Sequence, residues 1–173
     1  MTNRCMGTRR WIAGLVAAAI ALWMTAPSQA GQSPSDTPQC TASGVRPASN
    51  QPATVQIDSR CVWRHTGVQV EQGVTYELRA SGTWVDKTYS SGPDGYDSPN
   101  TFMKLAEVGK RVRSAKWFAL IGALDEDDKT MFVIGSQATF SPTRSGELVA
   151  FANDWKSKYG NNHGEVTLTI TRK

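Results

Sequence analysis

The chain has 173 residues, and roughly 120 of them follow position 53, enough for one domain and not for two. Its 19 basic residues exceed its 15 acidic ones, which gives a formal net charge of +4. Three basic and no acidic residues lie in the first 30 positions, so the remainder carries 16 against 15, or +1. No basic stripe with interleaved aromatic residues follows, and nucleic acid is therefore excluded as an expected partner.

The first 30 residues have the pattern of a secretory signal peptide. Arg4, Arg9 and Arg10 precede an apolar run over residues 11–24, and small residues follow up to Ala30. We expect cleavage after Ala30. The apolar run is shorter than the roughly 20 residues that a membrane span needs, so no membrane span is predicted. The sequence thus predicts an exported protein, either secreted or periplasmic.

Residues 31–52 are rich in Ser, Pro, Gln and Thr and are predicted to form a flexible tail. Cys5 is removed with the leader, which leaves Cys40 and Cys61 as an even pair in an exported chain. We predict a disulfide between them, worth about 3 kcal/mol in the chain-entropy model. No Cys/His cluster has zinc spacing, so a Cys-ligated metal is not expected.

Residues 53–173 have the pattern of a series of short strands. Gly82 is predicted to interrupt one strand before Trp84, and residues 86–100 are predicted to form a long loop. No window has the three-and-four apolar spacing of a helix with its cap and stop signals. The predicted strands, marked by apolar alternation or by continuous apolar runs, cover residues 68–70, 76–80, 117–121, 131–134, 148–152 and 165–171. This spacing predicts an all-β sandwich or barrel.

The loop between the last two predicted strands, residues 153–164, is longer than the two to five residues of a tight hairpin. It holds Asp154, Asn161 and Asn162, whose side-chain oxygens are the type of ligand that calcium prefers. Such a site leaves one or two coordination positions open for water or for a ligand hydroxyl. The alternative is that these residues only form turns, for which Asp and Asn are suited.

Two other patterns are weaker candidates for a site. The acidic run at residues 125–128 offers a second cation site, but it lacks the spaced Asp and Asn of a calcium loop, and like charges clustered at a turn are usually just solvated. Asp154, Ser157 and His163 could be arranged as a triad, but no nucleophile elbow or oxyanion-hole signature accompanies them. We therefore expect no catalytic residues and no enzyme activity.

Several segments, in this order, resemble the PA-I-type calcium-dependent galactophilic lectins. The resemblance covers roughly residues 68–170, and its specific part is Asn153-Asp154 followed by Tyr159-Gly160-Asn161-Asn162. The strand segments at 80–84, 117–122, 132–135 and 145–148 are similar more weakly. The resemblance implies a small antiparallel β-sandwich, of jelly-roll and galactose-binding-like type, in which one calcium ion bridges protein and sugar.

The resemblance also implies a ligand set. Asp154, Asn161 and Asn162 would hold Ca²⁺ through their side chains, and the main-chain carbonyls of Lys158 and Asp86 would complete the protein ligands. Two sugar hydroxyls would bind the ion directly, with Asp154 and Asn161 also hydrogen-bonding them.

Trp155 stands where the family has a small aliphatic residue that contacts the sugar, so the indole is expected either to stack on a sugar face or to block the site. The sequence thus predicts an exported calcium-dependent carbohydrate-binding protein of galactose type. The alternative is a calcium-braced sandwich that binds a protein or an envelope component and no sugar. The identity of the sugar and assembly into a homo-oligomer are left open.

Overall fold

A computed structural model of the chain describes residues 37–173, so the predicted signal peptide lies outside the described residues. Among the described residues, no helix is long and apolar enough to cross a membrane. The elements are β1 (Arg46–Pro47), β2 (Ala53–Asp58), β3 (Arg64–Val70), β4 (Tyr76–Asp86), β5 (Tyr89–Ser91), β6 (Asp94–Tyr96), α1 (Thr101–Ala106), β7 (Trp117–Leu124), β8 (Asp127–Val133), β9 (Gln137–Phe140), β10 (Gly146–Ala152) and β11 (Asn162–Arg172), with 3₁₀ turns at Glu107–Gly109 and Tyr159–Asn161.

The strands form two sheets that pack face to face. One sheet has the order β1-β3-β10-β7-β6, with β8 also paired to β7, and the other has the order β2-β11-β4-β5, with β9 also paired to β4. Every pairing is antiparallel except that of β1 with β3. The described residues therefore confirm the predicted antiparallel β-sandwich.

The continuous apolar runs of β7 and β10 are explained by burial on both faces. Phe118 and Leu120 of β7 face the core between the sheets, together with Trp84 of β4. Ile121 lies on the opposite face, in a second cluster with Phe151 of β10. Since successive side chains of a strand point to opposite faces, a strand covered on both sides carries apolar residues at every position.

Two predicted boundaries in the middle of the chain are wrong. Gly82 does not interrupt a strand, because β4 runs unbroken through it with a φ of +115°. A Cβ at this position would lie 3.2 Å from the Glu165 carbonyl oxygen of β11, so glycine permits the close approach of the two strands. The predicted long loop of residues 86–100 contains β5 and β6, which extend the two sheets at one end of the sandwich.

The prediction of no helix is also wrong, because α1 and the following 3₁₀ turn cover residues 101–109. Asn100 caps the helix, since its side-chain oxygen accepts a hydrogen bond of 2.9 Å from the Met103 N–H. None of the helical residues is buried. A helix that lies on the surface and buries no apolar stripe leaves no three-and-four pattern for the sequence to show.

The predicted disulfide is confirmed. Cys40 and Cys61 are joined, with their Cα atoms 5.4 Å apart. The His65 N–H also donates to the Cys40 carbonyl, over 2.8 Å, so the bridge and this bond together hold the N-terminal segment beside β3. Upstream of residue 53, Arg46–Pro47 pair in parallel with β3, and Ala48 reaches the edge of the core.

Candidate functional site

The candidate site lies at the end of the sandwich where β4 ends and β11 begins. Asp86 is the last residue of β4, Asn162 is the first of β11, and the two are direct partners across the sheet. Asp154 lies two residues beyond the end of β10. The 3₁₀ turn Tyr159–Asn161 then curls the loop back toward β11. Pairing of strands far apart in sequence thus brings three of the predicted residues to one place.

Two pairs of side chains are hydrogen-bonded there. Asn162 Nδ2 donates to Asp154 Oδ2 over 3.2 Å and to the Ser59 carbonyl oxygen over 3.1 Å. Asn161 Nδ2 donates to Asp86 Oδ1 over 3.4 Å. The Asn162 Oδ1 atom is buried and has no hydrogen-bond partner among the described residues. A buried acceptor without a partner carries a desolvation cost of about 1–3 kcal/mol, which a bound cation or water would relieve.

The remaining carboxylate oxygens accept hydrogen bonds from neighbours. The Tyr96 hydroxyl donates to Asp86 Oδ2 over 2.6 Å, and the Trp155 N–H donates to Asp154 Oδ1 over 2.7 Å. Burial of the Tyr96 hydroxyl and its bond to Asp86 raise the pKa of Tyr96 far above its ordinary value, so it remains a donor. These bonds fix the orientation of both carboxylates.

The two carboxylates are buried close together without a cation. Asp86 is 8% exposed and Asp154 is 3% exposed, and no ion pair between described residues includes either of them. Burial, aided by the negative charge of Asp86, raises the pKa of Asp154 to about 6, although the Trp155 N–H, the Asn162 amide and the charge of Lys158 act in the opposite direction. The site therefore favours either a proton or a metal cation between these groups.

The donor set fits a hard cation. Two carboxylates and two side-chain amides are hydrogen-bonded in this cluster, and the Asn162 oxygen has no partner among the described residues; oxygen is the ligand type of Ca²⁺, which takes about six to eight such ligands. Within residues 37–173 no group of three or more His, Cys, Asp or Glu side chains is placed to hold a metal ion, so a cation here would need amide and main-chain oxygens beside the two carboxylates. The side chain of Asp86 is a donor that sequence reasoning missed, because the resemblance implied only its main-chain carbonyl. The Lys158 carbonyl, also predicted as a ligand, accepts the Asn161 N–H over 3.2 Å within the 3₁₀ turn.

A pocket of about 520 Å³ opens over this cluster. One wall is polar, with Asp86, Asp154 and Asn161, and two lysines, Lys87 and Lys158, lie at its margin. The pocket is also lined by side chains with large apolar surfaces, namely Tyr89, Phe102, Met103, Trp117 and Trp155. A volume of this size, with a few polar groups set in an apolar wall, is typical of a small-molecule site.

Trp155 is held firmly in the wall of this pocket. Its Nε1–H donates to the Ala106 carbonyl oxygen at the end of α1 over 2.9 Å. Its ring packs so closely on Gly109 that a Cβ there would lie 2.3 Å from the indole. The indole therefore contacts both the end of α1 and the following 3₁₀ turn, and it also lines the pocket.

The residues that suggested a catalytic triad are not brought together. Ser157 and His163 are exposed, and no hydrogen bond between described residues links either of them to Asp154. His163 faces Val85 across the β4–β11 pairing. Sequence reasoning also missed Tyr96 and the wall supplied by α1, although Asn100 followed by good helix formers was a usable signal for the helix.

Comparison with known proteins gives a relation of fold. No protein-family model matches the chain, and no curated protein matches it. Among solved structures, the chain is similar to the N-terminal domain of EclA, described as a PllA-like lectin, with a TM-score of 0.54 and 19% sequence identity. The match covers 69% of this chain and 95% of that one. The chain therefore has the β-sandwich fold that this lectin domain also has.

Proposed function

We propose that the protein binds carbohydrate in this pocket through a calcium ion. Asp154, Asn161 and Asn162 would hold the ion, and Asp86 and the Lys158 carbonyl oxygen would complete the protein ligands. Ca²⁺ would supply open coordination positions for sugar hydroxyls, in the manner of the PA-I-type lectins that the sequence resembles. Both carboxylates together balance the charge of the ion, so neutral polyols are suitable as the remaining ligands.

The observation that carries the proposal is the buried pair Asp86 and Asp154 beside the unpartnered Asn162 oxygen. Two buried carboxylates without a cation, next to an acceptor without a donor, form an arrangement that gains most from a divalent ion. The fold shared with a lectin domain and the apolar wall beside the cluster support a sugar as the ligand, since sugar rings present an apolar face.

We also propose that the protein is exported. A disulfide and the absence, in residues 37–173, of a helix able to cross a membrane agree with a protein that acts in the periplasm or outside the cell. We propose galactose or a related glycan as the first ligand class to test, and we propose no catalytic step.

Thermal unfolding of the chain from residue 31 onward tests the proposal, in calcium, in EDTA, and in calcium with galactose. At a hundredfold excess over Kd, a ligand stabilises by about 2.7 kcal/mol, which corresponds to roughly 10 °C for a domain of this size. We expect calcium to raise the midpoint and sugar to raise it further. Asp154→Ala should abolish both shifts, and Asp127→Asn, in the acidic turn, is the matched control.

A calcium shift that no sugar on a glycan array increases would support the alternative, a calcium-braced domain with a protein or envelope partner. A midpoint that calcium leaves unchanged would overturn the calcium site itself.

A further inference from the structure

We propose that α1 and the following 3₁₀ turn form a docking surface for an anionic phospholipid bilayer. The surface, which we call the apolar stripe, consists of Phe102, Leu105 and Val108. These side chains are 77%, 71% and 67% exposed. They recur every third residue along α1 and the 3₁₀ turn, a spacing that places them on one side of the segment.

The exposed apolar side chains of the described residues are concentrated in the stripe. Six large hydrophobic side chains are exposed among the described residues; three of them form the stripe, and Phe102 of the stripe lines the pocket together with Tyr89. Single exposed hydrophobic residues need no explanation, but a contiguous group marks an interaction site. No residue of α1 or of the turn is buried, so the stripe does not serve the core of the sandwich.

The stripe is held in place by polar contacts on its other side. The Trp155 Nε1–H donates to the Ala106 carbonyl, and the Ser98 hydroxyl donates to the Glu107 carboxylate over 2.6 Å. The Asn100 side chain caps the start of the helix. The stripe is therefore preorganised, and little ordering is needed when its side chains enter another phase.

The charges around the stripe favour an anionic surface. Lys87 and Lys158 are exposed and line the pocket that Phe102 also lines, whereas the Asp86 and Asp154 carboxylates of that pocket are buried. Glu107, the acidic residue of this helical segment, pairs with Lys104 over 3.2 Å, so these two charges offset each other. Apolar side chains flanked by lysines are the composition of segments that lie in a membrane interface.

The same charges argue against a second copy of the chain as the occupant. A twofold dimer through the stripe would bring the exposed Lys87 and Lys158 of one copy toward those of the other. Like charges placed face to face oppose association, whereas a layer of phosphate headgroups neutralises them. The pocket would then open close to the membrane surface.

Vesicle flotation tests the proposal with the chain from residue 31 onward, which retains the whole described sandwich and lacks the apolar leader that would itself bind lipid. Vesicles of phosphatidylcholine alone are compared with vesicles that also contain phosphatidylglycerol. EDTA is present throughout, so that neither calcium nor any sugar contributes, and failure here is separate from failure of the proposed sugar site. We expect binding to the anionic vesicles and a decrease as salt is raised.

The decisive variant carries Phe102→Ser, Leu105→Ser and Val108→Ser, and the matched control carries Val45→Ser and Val133→Ser, which are 51% and 48% exposed and do not line the pocket. The stripe variant should bind at least about tenfold more weakly, because full burial of one large apolar side chain already corresponds to about that factor. The control should bind as the wild type does. Unchanged thermal midpoints show that both variants fold.

Wild-type protein that stays unbound at low salt would overturn the proposal, as would a stripe variant that floats like the control. Wild-type protein that ignores vesicles but forms a dimer that the stripe variant abolishes, as measured by sedimentation, would overturn it in favour of a second copy.

Discussion

The chain gathers carboxylates in two places, and the two differ in their counter-charges. In the acidic turn, residues 125–128, each acid has a basic partner. Arg144 pairs with Asp125 and Asp127, His65 with Glu126, and Lys156 with Asp128. At the pocket, Asp86 and Asp154 are buried and no cation pairs with them among the described residues.

A dense run of acidic residues in the sequence therefore does not by itself indicate a cation site. Exposed acids that already hold a lysine or an arginine gain little from a metal ion, because water screens them and their cation must be displaced. Burial has already removed the water around acids that lack a cation, so such acids gain the full interaction with a cation that binds them. Asp86 and Asp154, although far apart in the sequence, are therefore a better candidate for a cation site than the dense acidic run.

Removal of Asp86 is expected to have the largest effect. Asp86→Ala should weaken calcium binding by about a hundredfold or more, since loss even of groups that merely orient metal ligands costs about 10- to 100-fold. Isothermal titration with Ca²⁺ measures the change, and Asp127→Ala in the turn serves as its control. Equal losses in the two variants would show that the two regions do not differ as argued.

In EDTA, the pH dependence of the free energy of unfolding should show the raised pKa of Asp154. Its folded pKa of about 6 lies above the unfolded value of about 3.9, so its contribution is present below pH 4 and is lost as the pH rises to about 6. Urea unfolding should show wild-type stability falling by up to about 1.4 kcal/mol per pH unit, relative to Asp154→Ala, between about pH 4 and 6. A difference that rises with pH would contradict the raised pKa.

Removing the cation from the acidic turn should have a small effect. Arg144→Gln should cost about 1 kcal/mol or less in urea unfolding, because the arginine and its partner Asp125 are both well exposed to water. Calcium affinity should not change, since the freed carboxylates remain hydrated. If this variant gained a calcium site, loss of the paired cation would be enough to create one, and burial of the carboxylates would not be needed.

The smallest effect on stability is expected for His65, which pairs with Glu126 of the acidic turn. Its hydrogen bond to Glu147, aided by one to Glu126, raises the pKa of His65 above its ordinary value. The stabilisation is present below the unfolded pKa of about 6.5 and is lost as the pH rises through the folded value. Compared with His65→Gln, the wild type should lose less than about 1 kcal/mol across that interval in urea unfolding, since both partners remain partly exposed.

Some features of the fold were predictable because they leave a local pattern. The alternation of Val166, Leu168 and Ile170 marks a strand with one buried face, and all three side chains are buried in the core. The even pair Cys40 and Cys61 marked the disulfide. By contrast, α1 has only six residues and buries none of them, and β5 and β6 have three residues each, so these elements are too short for the sequence pattern to identify.

The candidate site divides in the same way. The loop supplied Asp154, Asn161 and Asn162 as close neighbours in sequence, and their role as calcium ligands stays a prediction. The Asp86 side chain and Tyr96 come from other strands, and no spacing in the sequence connects them with the loop.

The sequence by itself determined the all-β class and the disulfide, because strand periodicity and cysteine number depend only on neighbouring positions and on composition. Only the tertiary structure decided that Asp86 and Asp154 share a site without a cation, that the acids of the turn have basic partners, and that α1 lines the pocket together with Trp155. These facts depend on the register of β4 against β11 and on the packing of distant segments, and both are set by burial across the whole sandwich.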